Sequence, residues 1–162
     1  MNKLVVRPAG KMDARKIASL MNEIIKAGGT TAITTELTAQ DILDLMQEGQ
    51  RAAWHVAEDE ACALHGLQWF EEHPDLPKDV ANIATFTRVG KTGLGIGSRL
   101  FEATLKSAKD LGYQWINANI RADNEGGLIY YQSRGFENHS RQESVKLADG
   151  TLVDKVIKRY RL

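Results

Sequence analysis

The densest chemistry in the chain lies in Val89-Gly90-Lys91-Thr92-Gly93-Leu94-Gly95-Ile96-Gly97-Ser98, where four glycines fall within eight residues. Glycine lets a backbone approach a ligand closely and adopt positive φ. The pattern that follows predicts a helix from about Gly97 to Leu111. The first N–H groups of a helix lack internal partners and sit at the positive end of its dipole. A strand, such a turn and a helix together make an anion cradle suited to phosphate or pyrophosphate. Gly90-Lys91-Thr92 ends like an ATP-binding P-loop, but that motif needs a glycine where Thr85 stands. Gly93, Gly95 and Gly97 also fall where the motif expects helix. Gly93-x-Gly95-x-Gly97 approaches a dinucleotide fingerprint, yet its third glycine comes one position early and repeated βαβ units are missing. A turn with no ligand is the plainer alternative.

A second unit, Asn124-Glu-Gly-Gly-Leu-Ile-Tyr-Tyr131-Gln-Ser-Arg-Gly135-Phe136, sets an Asn before a short helix that carries two phenols. Asn124 suits an N-cap, and Tyr130 suits packing on a sheet. Glu36, in a polar loop, is the first candidate for a general base. Asp79, Glu71, Glu72 and His73 surround a later loop and come after it. His55 and His65 alternate among apolar residues and read as ordinary sheet histidines. The four histidines lack metal-ligand spacing and one cysteine cannot build a thiolate site, so no metal is expected. Cys62, flanked by Ala61, Ala63 and Leu64, reads as a small buried side chain and not a nucleophile.

These groups need elements to hold them. The 162 residues suit one domain, 1–162, large enough to bury a core without disulfides. Lys plus Arg and Asp plus Glu are equal at 21 each. That balance argues against a nucleic-acid partner or a polybasic membrane contact. No apolar run approaches a membrane span, and Met1 to Arg7 lacks a signal-peptide core, so a cytoplasmic protein is expected.

A strand at Leu4–Arg7 precedes a helix capped by Asp13, with Ile17, Leu20, Met21, Ile24 and Ile25 as its apolar stripe. Thr38 and Asp41 resemble a capping box for a second helix. Two apolar runs, 52–57 and 61–70, flank the acidic turn at Glu58-Asp59-Glu60. Strands at about 82–89 and 115–120, a short helix at 125–134 and a hairpin at Asp149-Gly150 complete the chain. The order β-α-α-β-β-β-α-β-α-β-β predicts an α/β (α+β) fold, a mixed, mostly antiparallel sheet flanked by about four helices.

Thr92-Gly-Leu-Gly95-Ile-Gly97 resembles the Q/R-x-x-G-x-G/A signature of the GNAT superfamily of N-acetyltransferases, with Thr92 where Gln or Arg is usual and Lys91 beside it. Asn124 through Tyr131 to Gly135-Phe136 resembles the second signature of that family, in the right order and context. Arg7-Pro8-Ala9, Asp13, Asn22 and Thr35-Glu36 resemble the start of its phosphinothricin acetyltransferase branch. Leu37 replaces a usual Pro there, and Asn82 stands where that branch often has Glu.

The resemblance implies acetyl-CoA as co-substrate and the amine of a small molecule as acceptor. It implies cofactor contacts at Thr85, Phe86, Thr87, Lys91, Thr92, Gly93, Leu94, Gly95, Ile96, Gly97, Ser98, Asn124 and Tyr131. Phe86 or Thr87 would donate an N–H to the oxyanion, and Tyr131 would protonate the leaving thiolate. A homodimer is implied too, with the strand at Thr151–Tyr160 as an edge for pairing. A Lys-like amine, with a pKa of about 10.4, is neutral in roughly one molecule in two thousand at pH 7, so the site must desolvate it or supply a base such as Glu36. No activated Cys or Ser constellation points to a covalent enzyme, so direct transfer is expected. A catalytically silent acyl-CoA sensor is the alternative.

Overall fold

The computed structural model describes residues 3–88 and 95–162. Its strands are β1 (Val5–Pro8), β2 (Ala53–Glu58), β3 (Leu64–Glu71), β4 (Val80–Thr87), β5 (Trp115–Arg121), β6 (Glu137–Lys146) and β7 (Leu152–Arg161). Its helices are α1 (Ala14–Ala27), α2 (Ala39–Glu48), α3 (Ile96–Asp110) and α4 (Glu125–Ser133). The strands form one mixed sheet in the order β1-β2-β3-β4-β5-β7-β6, with β4 and β5 parallel and every other pair antiparallel.

Amphipathic periodicity explains how the helices cover this sheet. On α1, Ile17, Leu20, Met21 and Ile24 are buried, as their spacing predicts, and Ile25 is partly so. With Ile42 of α2 they pack on Trp54, Trp69 and Phe86 of β2, β3 and β4. The two indoles stack with centroids 4.2 Å apart. Full burial of each such side chain contributes about 1.5–3 kcal/mol. The opposite face carries Phe101 and Ala108 of α3 with Tyr131 of α4, over Ala81, Ile83, Ile116 and Ala118. The Thr38 capping box is formed: Asp41 N–H donates to Thr38 Oγ1 at 3.1 Å, and Thr38 N–H donates to Asp41 Oδ2 at 2.8 Å.

Three expectations are corrected. Asp13 does not cap α1 with its side chain. Its carboxylate turns back to accept the Gly10 N–H at 2.8 Å and two bonds from the Arg7 guanidinium, which holds it below the usual carboxylate range. Cys62 is exposed, on the turn between β2 and β3, where its backbone is left-handed, φ 64°. The C-terminal strand is no edge: β7 lies between β5 and β6, and β6 is the edge strand at that side.

The end of the sheet where β4 and β5 begin is fastened by Arg51. Its guanidinium donates to the carbonyls of Lys78 and Leu111 at 2.7 and 2.8 Å and lies 4.1 Å from the Tyr113 ring centroid. The Tyr113 hydroxyl donates back to Arg51 O at 2.9 Å.

Gly66 lets α3 lie directly on β3. A Cβ there would stand 2.5 Å from Ile96 Cγ2 and 3.0 Å from Leu100 Cδ1. Gly66→Ala should cost about 1–3 kcal/mol by overpacking. The expected result is a lower urea midpoint at unchanged m-value; an unchanged midpoint would mean that α3 yields freely.

Candidate active site

The site begins where β4 and β5 part. Their register runs from Val80 opposite Trp115 to Ile83 opposite Ala118 and stops. Beyond it β4 continues with β3 alone, and β5 with β7 alone. Arg88 N–H donates to His65 O at 2.8 Å. Hydrogen-bonded pairs in an antiparallel ladder recur at every second residue. Phe86 and Ala84 therefore turn their amides toward β3, and Thr85 and Thr87 turn theirs toward the gap. This corrects the expectation for Phe86: its N–H is committed to the ladder, and its ring packs on Trp69. Thr87, the other candidate donor, and Thr85 both have amides that point away from β3.

A cavity of about 580 Å³ opens at this split. Phe86 and Ile24 line it from one face of the sheet, and Ile96, Tyr130 and Tyr131 from the other. Of the expected contacts, Thr85, Phe86, Thr87, Ile96, Gly97, Asn124 and Tyr131 border it. Lys91, Thr92, Gly93 and Leu94 lie outside the described residues. Gly95 caps the N-terminus of α3 in the left-handed region, φ 66°, with open space where a Cβ would stand. Ser98 accepts a bond from Arg134 and is not among the lining residues.

Helix α4 carries most of the polar geometry. Asn124 caps it by accepting the Gly127 N–H at 3.0 Å and donates to Thr30 O at 3.0 Å, tying the threonine loop to the cavity mouth. The Tyr131 hydroxyl is 2.7 Å from Thr85 Oγ1. Burial raises its pKa, with the Thr85 hydrogen bond opposing that shift. Tyr130 does more than pack: its hydroxyl donates to Gly97 O at 2.7 Å, and burial pushes its pKa up to about 12. A Cβ on Gly97 would stand 2.6 Å from the Tyr130 ring, so this glycine serves a close approach.

Glu36 is not brought to this cavity. Asn22 clamps the backbone of Leu37 with two bonds of 2.8 Å, which seats the loop against α1. Glu36 is thereby exposed on a separate depression beside Arg15 and Lys26. Glu71, Glu72 and His73 line a third cavity at the C-terminal end of α2, where burial raises the Glu71 pKa. His65 bonds Asp59 at 2.7 Å, and His55 is buried with its pKa lowered by desolvation. No group of three His, Cys, Asp or Glu side chains gathers for a metal among the described residues. No described helix is long and apolar enough to cross a membrane.

Sequence reasoning missed Thr30, Arg88, Gly126, Gly127 and Ile129 among the lining residues, and gave Ile24 and Tyr130 to packing alone. The paired glycines at 126–127 were the available signal: a Cβ on Gly127 would stand 2.4 Å from the Asn124 amide.

No protein-family model matches the chain. A Bacillus subtilis (strain 168) protein, YwnH, named as a candidate phosphinothricin acetyltransferase, is 25% identical over 155 residues, covering 93% of this chain and 94% of its own. The crystal structure of a candidate phosphinothricin N-acetyltransferase superposes with a TM-score of 0.86 at 24% identity, over 99% of both chains. The chain has the fold of these acetyltransferases. Another structure with this fold is a GNAT phosphinothricin acetyltransferase from Sinorhizobium meliloti in complex with AcCoA. It has a TM-score of 0.86 and 19% identity over 98% of this chain and 88% of that one. The split between β4 and β5 and the N-terminus of α3 thus lie in a fold shared with structures named as N-acetyltransferases.

Gly95→Asp tests the helix end as a phosphate cradle. Aspartate tolerates the left-handed region better than most residues, so circular dichroism should stay native-like. Calorimetry should show acetyl-CoA binding weakened at least about tenfold, since a hydrogen bond to a charged group is worth about 1.5–3 kcal/mol. Unchanged affinity would remove Gly95 from the site.

Proposed function

We propose that the protein moves an acetyl group from acetyl-CoA to the primary amine of a small molecule, directly and within a ternary complex. The observation that carries this reading is the cavity at the β4–β5 split, where the amides of Thr85 and Thr87 and the hydroxyl of Tyr131 converge. The residues fit the co-substrate. A left-handed Gly95 with open space opens a helix whose free N–H groups suit a pyrophosphate, and Gly97 and Ser98 continue it. Lys91, Thr92, Gly93 and Leu94 would complete the turn. Acetyl-CoA supplies an activated acyl group and a thiolate leaving group.

The chain's own groups divide the work. Ile24, Phe86 and Ile96 give the cavity apolar walls, and desolvation there favours the neutral form of an amine. The Thr85 and Thr87 amides offer hydrogen bonds to an oxyanion and need no rearrangement to do so. Tyr131 holds a proton beside the split for the departing thiolate. Asn124 acts as cap and tether, with both ends of its amide committed. This reading gives Glu36 no part in the chemistry. It expects a homodimer, for which β1 and β6, and not β7, are the sheet edges.

Thiol release from acetyl-CoA against a panel of amine classes tests the reading. Tight acetyl-CoA binding with no turnover on any acceptor would favour the sensor alternative instead. On an accepted amine, Tyr131→Phe should lower kcat at least about tenfold, within the range of general acid catalysis, at unchanged acetyl-CoA affinity. Full kcat in that variant would make Tyr131 a core residue.

Direct transfer makes Cys62 dispensable. Cys62→Ala should keep most activity, and mass spectrometry should find no acetyl group on the protein during turnover. Ping-pong kinetics with an acetylated Cys62 would sink direct transfer.

A further inference from the structure

Behind Thr85 and the two tyrosines lies a buried glutamine. Gln68, on β3, is fully buried, and its Nε2 is 2.9 Å from Thr85 Oγ1 and 3.0 Å from the Tyr130 hydroxyl. Its Oε1 has no partner among the described residues. An orphaned buried acceptor destabilises a fold, and an apolar side chain of the same shape would avoid it. Stability therefore does not account for the amide.

The directions of these bonds follow from one carbonyl. Gly97 O can only accept, so the Tyr130 proton goes to it. Tyr130 must then accept from Gln68, which places the NH₂ group, and not the carbonyl, toward both hydroxyls. Thr85 Oγ1 accepts the second N–H. A hydroxyl that accepts a hydrogen bond becomes a better donor. Thr85 is thereby set to donate to Tyr131 across their 2.7 Å contact. With its oxygen accepting, Tyr131 keeps its own proton free for the cavity it lines.

We propose that Gln68 is a positioning residue for proton transfer at Tyr131, acting through Thr85. The proposal rests on the reading of Tyr131 as the general acid. In the step, the Tyr131 O–H bond breaks and an S–H bond forms on the thiolate. The phenolate left behind accepts the Thr85 hydrogen bond that Gln68 directs. The proton lost by the acetylated amine goes to solvent, and solvent returns one to Tyr131, so the cycle closes. Burial alone disfavours that phenolate, which is why a directed donor matters here.

A double-mutant cycle tests this, with thiol release from acetyl-CoA as the readout. Hydroxylamine serves as the acceptor probe, alongside the panel amines. Gln68→Met should lower kcat about tenfold, a part of the roughly 10²–10⁴-fold that acid catalysis supplies. Acetyl-CoA affinity should hold and the thermal midpoint should not fall. Thr85→Val should reproduce the loss by breaking the relay at its middle. In a Tyr131→Phe background, neither change should lower kcat further. Full kcat in Gln68→Met, or an equal fold-loss with and without Tyr131, overturns the proposal alone. A wild-type protein that turns over no acceptor, or a Tyr131→Phe variant with full kcat, overturns the acid reading and this proposal with it.

Discussion

One parallel strand pair that holds and then lets go organises this molecule. β4 and β5 share a ladder from Val80 to Ile83, after which each strand keeps only its antiparallel neighbour. Backbone amides are obligatory hydrogen-bonding groups, and a buried pair without partners is costly. Parting the strands leaves the amides of Thr85 and Thr87 aimed at a gap lined from both faces of the sheet. A ligand that brings acceptor oxygens to that gap satisfies them.

The helices are arranged around that gap. α3 begins at its rim and α4 crosses beside it, and the two are locked by side chains: Tyr130 on Gly97 O, Arg134 on Ser98. Gly97 and Gly66 remove the side chains that would hold α3 away from α4 and β3. The polar cluster of Gln68, Thr85, Tyr130 and Tyr131 borders the apolar cluster of Phe101, Ile116, Ala118 and Phe136. Low dielectric strengthens each of its bonds and raises the cost of any left unmade.

Much of this was legible in the sequence, for identifiable reasons. The stripe on α1 and the Thr38 cap are local, governed by helical period and a three-residue reach, and both appear as read. The glycine turn and the Asn124–Tyr131 unit announced a site, and Ile96, Gly97, Asn124 and Tyr131 meet at one cavity, whereas Gly95 and Ser98 are not among its lining residues. What failed depended on distant partners. Asp13 looked like a cap because Arg7 and Gly10 could not be foreseen as its partners. Glu36 looked free to reach the site because nothing local reveals that Asn22 clamps Leu37. The choice between Phe86 and Thr87 as donors needed the β3–β4 register, since a one-residue slip exchanges the two. Gln68, in an apolar strand, carried no local signal; only the three-dimensional meeting of β3, β4 and α4 gives its amide a task.

The fastening at Arg51 has a mechanical consequence. One guanidinium there joins the loop before β4, the C-terminus of α3 and the Tyr113 ring, at the end where β4 and β5 are still paired. The strands are thus pinned at one end and separate at the other, the layout of a tuning fork. Forces applied between the prongs are resisted by the joint and not by the tines. Spreading near Thr85 and Thr87 therefore loads that joint, where the Lys78 and Leu111 carbonyls hold the guanidinium.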